Sequence, residues 1–231
     1  MNQPYIFESN KNSELGGSDA VIMLPDIYGQ TDYSKRSVEE FADAFKKPVF
    51  MLDYFYLITN KVNNFTEVDR EKAHSLMQNF KGDDFVTFFK KVLGEIKEVY
   101  PAITQFIVIG FCFGGRLAYI AGGEDRVCKV VSFYGGGPHT PNYIEDKTPI
   151  EYIISKRREG GLQVVSFFGT QDKSIPESDR QKIKEEFAKS TIVYESYEYN
   201  AGHAYFQEGR PNYNAPASQA SLEVLQKVLN N

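Results

Sequence analysis

Cys112 stands between two glycines in the sequence GFCFGG at positions 110–115, directly after the apolar run 105–109 and before a segment that favours a helix. This order is typical of a nucleophile elbow, a sharp strand-to-helix turn in which side chains two positions away would collide with neighbouring backbone. Such a turn holds the cysteine at a helix N-terminus, where the dipole and free amides favour the thiolate. The sequence therefore predicts a nucleophilic cysteine, and a buried, inert cysteine is the alternative.

A cysteine nucleophile needs a base, and histidine is the side chain that titrates near neutral pH. His203 lies in NAGHAYF at 200–206, after the last predicted strand, and Asp172 ends GTQD at 169–172, after the strand before it. Asp172 would orient the imidazole of His203, and the chain order nucleophile, acid, base is that of hydrolases with this elbow. A turn-capping Asp172 and an ordinary loop histidine are the alternatives. His139, after a glycine-rich break, is a reserve candidate for the base.

Apolar runs alternate with amphipathic segments along the chain. Strands are predicted over 19–24, 48–52, 105–109, 127–133, 162–168 and 191–197. One helix is predicted to start at a capping box at 37–40, and others over about 67–80 and 177–188. Three more helices are predicted to begin after Asp83, after the elbow and after Ala215. This alternation predicts an α/β fold with a mostly parallel sheet covered by helices on both faces. The candidate residues fall at the carboxyl ends of strands, where such sheets carry their sites. The aromatic-rich segment 54–65 is predicted to be a long covering loop.

The composition limits the class of protein. With 231 residues, 42% of them apolar, the chain is expected to form a single domain over 1–231. A net charge of −5 without a basic run argues against a nucleic-acid partner, and no apolar stretch has membrane-spanning length. Cys112 and Cys128, the two cysteines, form neither a disulfide framework nor a zinc pattern. A cytoplasmic protein is expected, because two unpaired cysteines suit a reducing compartment and the first residues lack a signal-peptide pattern. It is expected to bind no metal and to be a monomer or a homodimer.

Four motifs carry a resemblance to a known family. LPDIYG at 24–29, GFCFGGR at 110–116, GTQD at 169–172 and NAGHAYF at 200–206 together resemble the dienelactone hydrolase (carboxymethylenebutenolidase) family of the α/β-hydrolase fold. The resemblance covers residues from about 20 to 229. It implies Cys112 as nucleophile, Asp172 as acid and His203 as base, with the backbone amides of Ile27 and Phe113 as the oxyanion hole. It implies no cofactor and no metal.

The chain departs from the family pattern near the expected substrate. Asp26 stands where the family usually has a glutamate that modulates the nucleophile, and its side chain is one methylene shorter. The family binds a substrate carboxylate with arginines; Arg70 matches one of them, but Gln207 occupies the second position, and Arg210 is the candidate replacement. His74 replaces a family tyrosine near the substrate. We therefore expect the chain to share the family's catalytic chemistry but not its substrate.

The sequence thus predicts a hydrolase that cleaves a lactone or small carboxylic ester through an acyl-cysteine. A thioesterase or a neutral-ester hydrolase with the same triad is one alternative. A non-catalytic, redox-sensing thiol protein is another; it is disfavoured because a sensor needs neither Asp172 nor His203, and no resolving cysteine is evident. The natural substrate and a lid role for segment 54–65 stay open.

Overall fold

A seven-stranded sheet runs through the computed structural model, which describes residues 3–141 and 143–230. The strands are β1 (Ile6–Glu8), β2 (Asp19–Leu24), β3 (Val49–Leu52), β4 (Gln105–Phe111), β5 (Val127–Phe133), β6 (Gln163–Gly169) and β7 (Val193–Tyr199). Their order across the sheet is β1-β3-β2-β4-β5-β6-β7, with β1 antiparallel to β3 and every other pair parallel. The predicted α/β class with a mostly parallel sheet is confirmed.

Helices connect the parallel strands, and the longer ones pack an apolar face against the sheet. They are α1 (Asp32–Phe45), α2 (Tyr56–Thr59), α3 (Arg70–Gln78), α4 (Gly82–Val99), α5 (Phe113–Ala121), α6 (Pro149–Lys156), α7 (Glu177–Phe187) and α8 (Ala215–Asn230). The helix predicted after Asp83 is confirmed as α4, in which the buried positions Phe85, Phe88, Phe89, Val92 and Ile96 recur at helical spacing. Val99, at the next position of the same apolar pattern, is exposed at the end of the helix. Over the described ranges, no helix combines the length and the apolar character needed to cross a membrane.

The start of α1 differs from the prediction. The helix begins at Asp32, and the hydroxyl of Thr31 caps it by accepting a 3.1 Å hydrogen bond from the Ser34 amide. Ser37 lies inside the helix and donates to the Tyr33 carbonyl oxygen at 3.1 Å instead of capping. The capping box predicted at 37–40 is therefore wrong, because Thr31 has the extended backbone that an N-cap requires and Ser34 extends the buried face toward the N-terminus.

Segment 54–65, predicted to be a long covering loop, is in part packed into the core. It contains α2, and Tyr54 and Phe55 are fully buried. The Tyr54 hydroxyl lies 2.9 Å from the Pro25 carbonyl oxygen and 2.8 Å from that of Asp26. The backbone amide of Phe65 donates to the carbonyl oxygen of Tyr28 at 2.8 Å. The segment therefore supports the loop after β2 from the core side.

Besides α2, two other short elements were not predicted from the sequence. The three residues of β1 carry too little pattern to be distinguished from a loop. The start of α6 did carry a signal, because Thr148 and Glu151 form a capping box around Pro149. The signal was overlooked because it follows a glycine-rich segment, which is typical of a loop.

Candidate active site

The turn around Cys112 joins β4 to α5 and is sterically demanding. Cys112 has φ 54° and ψ −115°, a conformation that L-residues rarely adopt and that the surrounding structure must enforce. A Cβ at Gly110 would lie 2.1 Å from the Gly114 carbonyl oxygen, and a Cβ at Gly114 would lie 2.3 Å from the Leu24 and Pro25 carbonyl oxygens. Both glycines are required because backbone packs directly against them. The sequence motif is thus a sharp strand-to-helix elbow in three dimensions.

The structure brings Cys112, His203 and Asp172 together from the ends of three strands. His203, four residues after β7, has its Nε2 3.1 Å from the Cys112 sulfur. Its Nδ1–H donates to Oδ2 of Asp172 at 2.7 Å, since a carboxylate can only accept. Asp172 is 3% exposed, and its other oxygen accepts from the Ser174 amide at 2.8 Å. The carboxylate is therefore fixed on both sides, and it orients the imidazole toward the sulfur.

The surroundings of His203 favour its protonated form. Burial by itself would lower the pKa of His203, but the hydrogen bonds and charges of Asp172 and Cys112 outweigh burial and raise the pKa to about 10. An imidazolium is therefore expected at neutral pH, adjacent to the sulfur. A cation in this position stabilises a thiolate.

The ring protons of His203 are expected to keep the chemical shift of an imidazolium through neutral pH and to titrate at a pH of about 10. Because the pKa in the folded chain lies above the ordinary 6.5, the bound proton contributes stability fully below pH 6.5. That contribution is lost as the pH rises through about 10. NMR titration measures the pKa, and His203→Gln assigns the resonance by removing it.

Cys112→Ala should shift the His203 titration to lower pH, because it removes one of the two partners that raise the pKa. A His203 resonance that titrates near 6.5 in the unmodified chain would contradict this electrostatic description.

Two residues whose backbone amides could stabilise an oxyanion, Ile27 and Phe113, line the cavity beside Cys112. Phe113 is the first residue of α5, where a helix offers its own amides no acceptor. Its ring packs among Tyr54, Phe55 and Phe80, with centroid distances of 5.5, 5.9 and 5.3 Å. Ile27 follows β2, and its amide has no hydrogen-bond acceptor among the described residues. The family resemblance implies that these two amides form the oxyanion hole, and that role stays a prediction.

A cavity of about 470 Å³ opens above the cysteine. Of the predicted substrate-binding residues, Arg70 and His74 line it from α3, and Arg210 lines it from the loop before α8. The reserve base His139 is not part of its wall, and the nearest carboxylate oxygen to its Nδ1 is that of Glu186 in α7 at 3.4 Å. Within 3–141 and 143–230, no group of three or more His, Cys, Asp or Glu side chains converges as metal ligands would.

Asp26 and Arg210 are paired with each other. One oxygen of Asp26 accepts from the Tyr28 amide at 2.9 Å, and the other accepts from Arg210 at 2.6 Å. Arg210 also binds Glu67 at 2.7 Å, and its guanidinium lies 4.0 Å from the centroid of the Tyr28 ring. No hydrogen bond joins Asp26 to Cys112 in the described part of the chain. Roles for Asp26 in modulating the nucleophile and for Arg210 in binding substrate therefore stay predictions.

The charged and aromatic lining residues Tyr28, Glu67 and Arg116 are among those that the sequence analysis missed. Tyr28 and Glu67 hold Arg210 and have no sequence signal, because they meet it only through the fold. Arg116 also lines the cavity, and it could have been found: four residues after Cys112 on α5, it lies one helical turn beyond the nucleophile. Gln207, at the expected second arginine position, is buried and accepts from Nε of Arg210 at 3.3 Å.

Comparison with solved structures shows the fold. A Klebsiella pneumoniae protein provisionally named dienelactone hydrolase superposes with a TM-score of 0.78 at 15% identity, covering 98% of this chain and 92% of that one. A dienelactone hydrolase-like promiscuous phosphotriesterase from metagenomic libraries gives a TM-score of 0.71 at 19% identity, covering 93% and 87%. The sheet and helices described above are thus those of α/β-hydrolase-fold proteins.

Sequence comparison shows the family. A Synechocystis sp. protein provisionally named carboxymethylenebutenolidase is 36% identical over 124 residues, which cover 52% of this chain and 47% of the relative. The carboxymethylenebutenolidase of Pseudomonas putida is 24% identical over 157 residues, 68% of this chain and 61% of the enzyme. The matches thus span only about half to three fifths of these curated relatives. The model of the dienelactone hydrolase family, however, matches residues 5–231, and the chain therefore belongs to that family.

Proposed function

We propose that this chain hydrolyses a lactone or a small carboxylic ester by a Cys112-His203-Asp172 triad through an acyl-cysteine. The observation that carries the proposal is the continuous contact from the Cys112 sulfur to Nε2 of His203 at 3.1 Å and from Nδ1 to buried Asp172 at 2.7 Å. This is the arrangement in which a nucleophile, its base and the group that orients the base act together.

The first half-reaction forms a thioester. The Cys112 thiolate attacks the carbonyl carbon, and the amides of Phe113 and Ile27 stabilise the negative oxygen of the tetrahedral intermediate. As the C–O bond to the leaving group breaks, the proton on Nε2 of His203 passes to the departing alkoxide. The products of this half are the acyl-cysteine and a neutral imidazole, with the alcohol released or, for a lactone, still attached to the acyl chain.

The second half-reaction uses water. Neutral His203 accepts a proton from a water molecule at Nε2 while the water oxygen attacks the thioester carbonyl carbon. The C–S bond then breaks, which releases the carboxylic acid product and restores the thiolate beside an imidazolium. Asp172 stabilises that imidazolium throughout without taking the proton.

A stopped-flow time course with p-nitrophenyl acetate tests the proposal. A burst equal to the enzyme concentration, followed by steady turnover, is expected when an acyl-cysteine forms and is then hydrolysed. A single stoichiometric burst without turnover would instead support the second candidate, a reactive, redox-sensing thiol without deacylation. The presence of Asp172 behind His203 favours the hydrolase, because a sensor has no use for an oriented base.

Thioesters and neutral esters fit the same triad, so the charge of the substrate must be tested separately. Arg70 is exposed at the cavity wall and has no carboxylate partner among the described residues. Arg70→Ala is expected to raise KM for an ester with a free carboxylate by about ten-fold, the usual cost of one charge-assisted hydrogen bond, with a smaller effect on a neutral ester. Steady-state kinetics with both esters measures this. Equal effects on the two would remove Arg70 from substrate recognition.

A further inference from the structure

A second cavity, of about 490 Å³, adjoins the one that opens above Cys112. The walls of the two cavities share Ser174, His203 and Asn212, so the cavities meet beside the proposed base. The rest of the second wall comes from three segments, which follow β6, follow β7 and precede α8. The proposed chemistry gives this space no role.

The acylation step directs the alcohol part of an ester toward the second cavity. Nε2 of His203 gives its proton to the leaving oxygen, so that oxygen must come within hydrogen-bond distance of Nε2. Nε2 itself lies 3.1 Å from the sulfur that bonds to the acyl carbon. The acyl carbon is therefore held at Cys112, and the alcohol extends from it on the side of His203, where the two cavities meet.

The wall of the second cavity offers hydrogen-bond donors and acceptors that the protein does not use. Gln171 donates from Nε2 to Oδ1 of Asn200 at 2.7 Å, which leaves Oε1 of Gln171 and Nδ2 of Asn200 without partners among the described residues. Asn212 donates from Nδ2 to the His203 carbonyl oxygen at 3.1 Å, and its Oδ1 has no partner within 3–141 and 143–230. The exposed ammonium of Lys173 adds further donors. Because a hydroxyl group both donates and accepts, several hydroxyls match this mixed set.

The same wall is positioned by packing and carries an exposed ring. The side chain of Asn212 lies against Gly202, where a Cβ would be 3.1 Å from its Cγ and 3.2 Å from its Nδ2. Tyr213 also lines the second cavity and is 41% exposed. An aromatic ring beside side-chain amides suits a sugar or polyol, because the C–H bonds of such a molecule pack on the ring while its hydroxyls bond to the amides.

We infer that the second cavity binds the alcohol part of the substrate, and that this alcohol is a sugar or another polyol. The inference rests on the proposed function and narrows its substrate class to esters of polyhydroxylated alcohols. Gln171, Asn200 and Asn212 bond to the hydroxyls, and Tyr213 packs against the C–H bonds. His203 protonates the oxygen that joined the alcohol to the acyl group.

The test compares two acetate esters whose alcohols have a similar shape. 6-O-Acetyl-D-glucose and cyclohexylmethyl acetate both carry the acetyl group on a methylene attached to a six-membered ring, and both form the same acetyl-cysteine. Each kcat/KM, measured by acetate release, is divided by the rate constant for hydroxide-catalysed hydrolysis of that ester, which removes differences in intrinsic reactivity. The sugar ester is expected to be favoured by about ten-fold or more, the effect of one or two hydrogen bonds.

Tyr213→Ser and Asn212→Ala should each lower this preference by about three- to ten-fold. Gln181→Ala is the matched control, because it removes an exposed amide of α7 that lies outside both cavities, and it should leave the preference unchanged. Circular dichroism shows which variants are folded, and the variant of the exposed Tyr213 decides the question if the other is not.

Two kinds of failure can be told apart with p-nitrophenyl acetate as the reference ester. Turnover of that ester together with equal normalised rates for the two acetates, or with a preference insensitive to both variants, would overturn this inference alone. Absence of ester turnover by the unmodified chain would overturn the proposed function and this inference with it.

Discussion

Cys112→Ala is expected to reduce the rate of p-nitrophenyl ester hydrolysis by about 10³-fold or more and to abolish the burst. The loss is large because the sulfur is the atom that bonds to the substrate, and removing a member of a nucleophile-base unit costs nearly as much as removing the whole unit. His203→Ala should cause a loss of similar order, since Nε2 lies 3.1 Å from that sulfur and no other histidine in the described part of the chain forms a hydrogen bond to it. Stopped-flow and steady-state assays measure both variants.

Cys128→Ala is the control for thiol chemistry in general. Cys128 lies in β5, is half-buried, and donates its S–H to the Phe106 carbonyl oxygen at 3.4 Å. Burial raises the pKa of this thiol, which disfavours the reactive thiolate. The control should keep the burst and the turnover. Hydrolysis that survives in Cys112→Ala at the rate of the unmodified chain would refute the acyl-cysteine mechanism.

Gly110→Ala is expected to lower the free energy of unfolding by about 3 kcal/mol or more, the range of severe core clashes. The new Cβ would lie 2.1 Å from the Gly114 carbonyl oxygen and 2.5 Å from its carbonyl carbon, and neither atom can move without opening the elbow. The same distortion would displace Cys112 from His203. Urea unfolding monitored by circular dichroism gives the loss of stability, and the ester assay gives the loss of activity.

Gly94→Ala is the matched glycine control, and the opposite sign is expected. Gly94 lies within α4, and a Cβ there would contact nothing within 4 Å beyond its chain neighbours and the backbone of its own helix. Alanine should therefore raise the free energy of unfolding by about 0.5–1 kcal/mol, since it favours the helix and restricts the unfolded chain. Equal destabilisation by the two substitutions would show that the close contacts at Gly110 are not what makes glycine necessary.

The elbow at Cys112 and the positions of Asp172 and His203 could be predicted from the sequence, because each depends on a local sequence pattern. Gly110 and Gly114 exclude side chains from a tight turn, and the strand before them is a continuous apolar run. The positions of Asp172 and His203 follow from the rule that sites form at the carboxyl ends of parallel strands. The sequence alone therefore determined the α/β class, the bounds of six strands to within two residues, and the three residues that meet beside the cavity.

The electrostatic pairing within the cavity was decided by the tertiary structure alone. Asp26, Glu67 and Arg210 are distant in sequence, and their contacts at 2.6 and 2.7 Å depend on how the loops after β2, before α3 and before α8 pack together. The sequence likewise predicted a covering loop over segment 54–65, whereas Tyr54 and Phe55 are buried in the core. Local patterns specify strands, turns and caps, whereas the partner of a charge is set by packing between segments. The same packing paired Arg210 with two carboxylates.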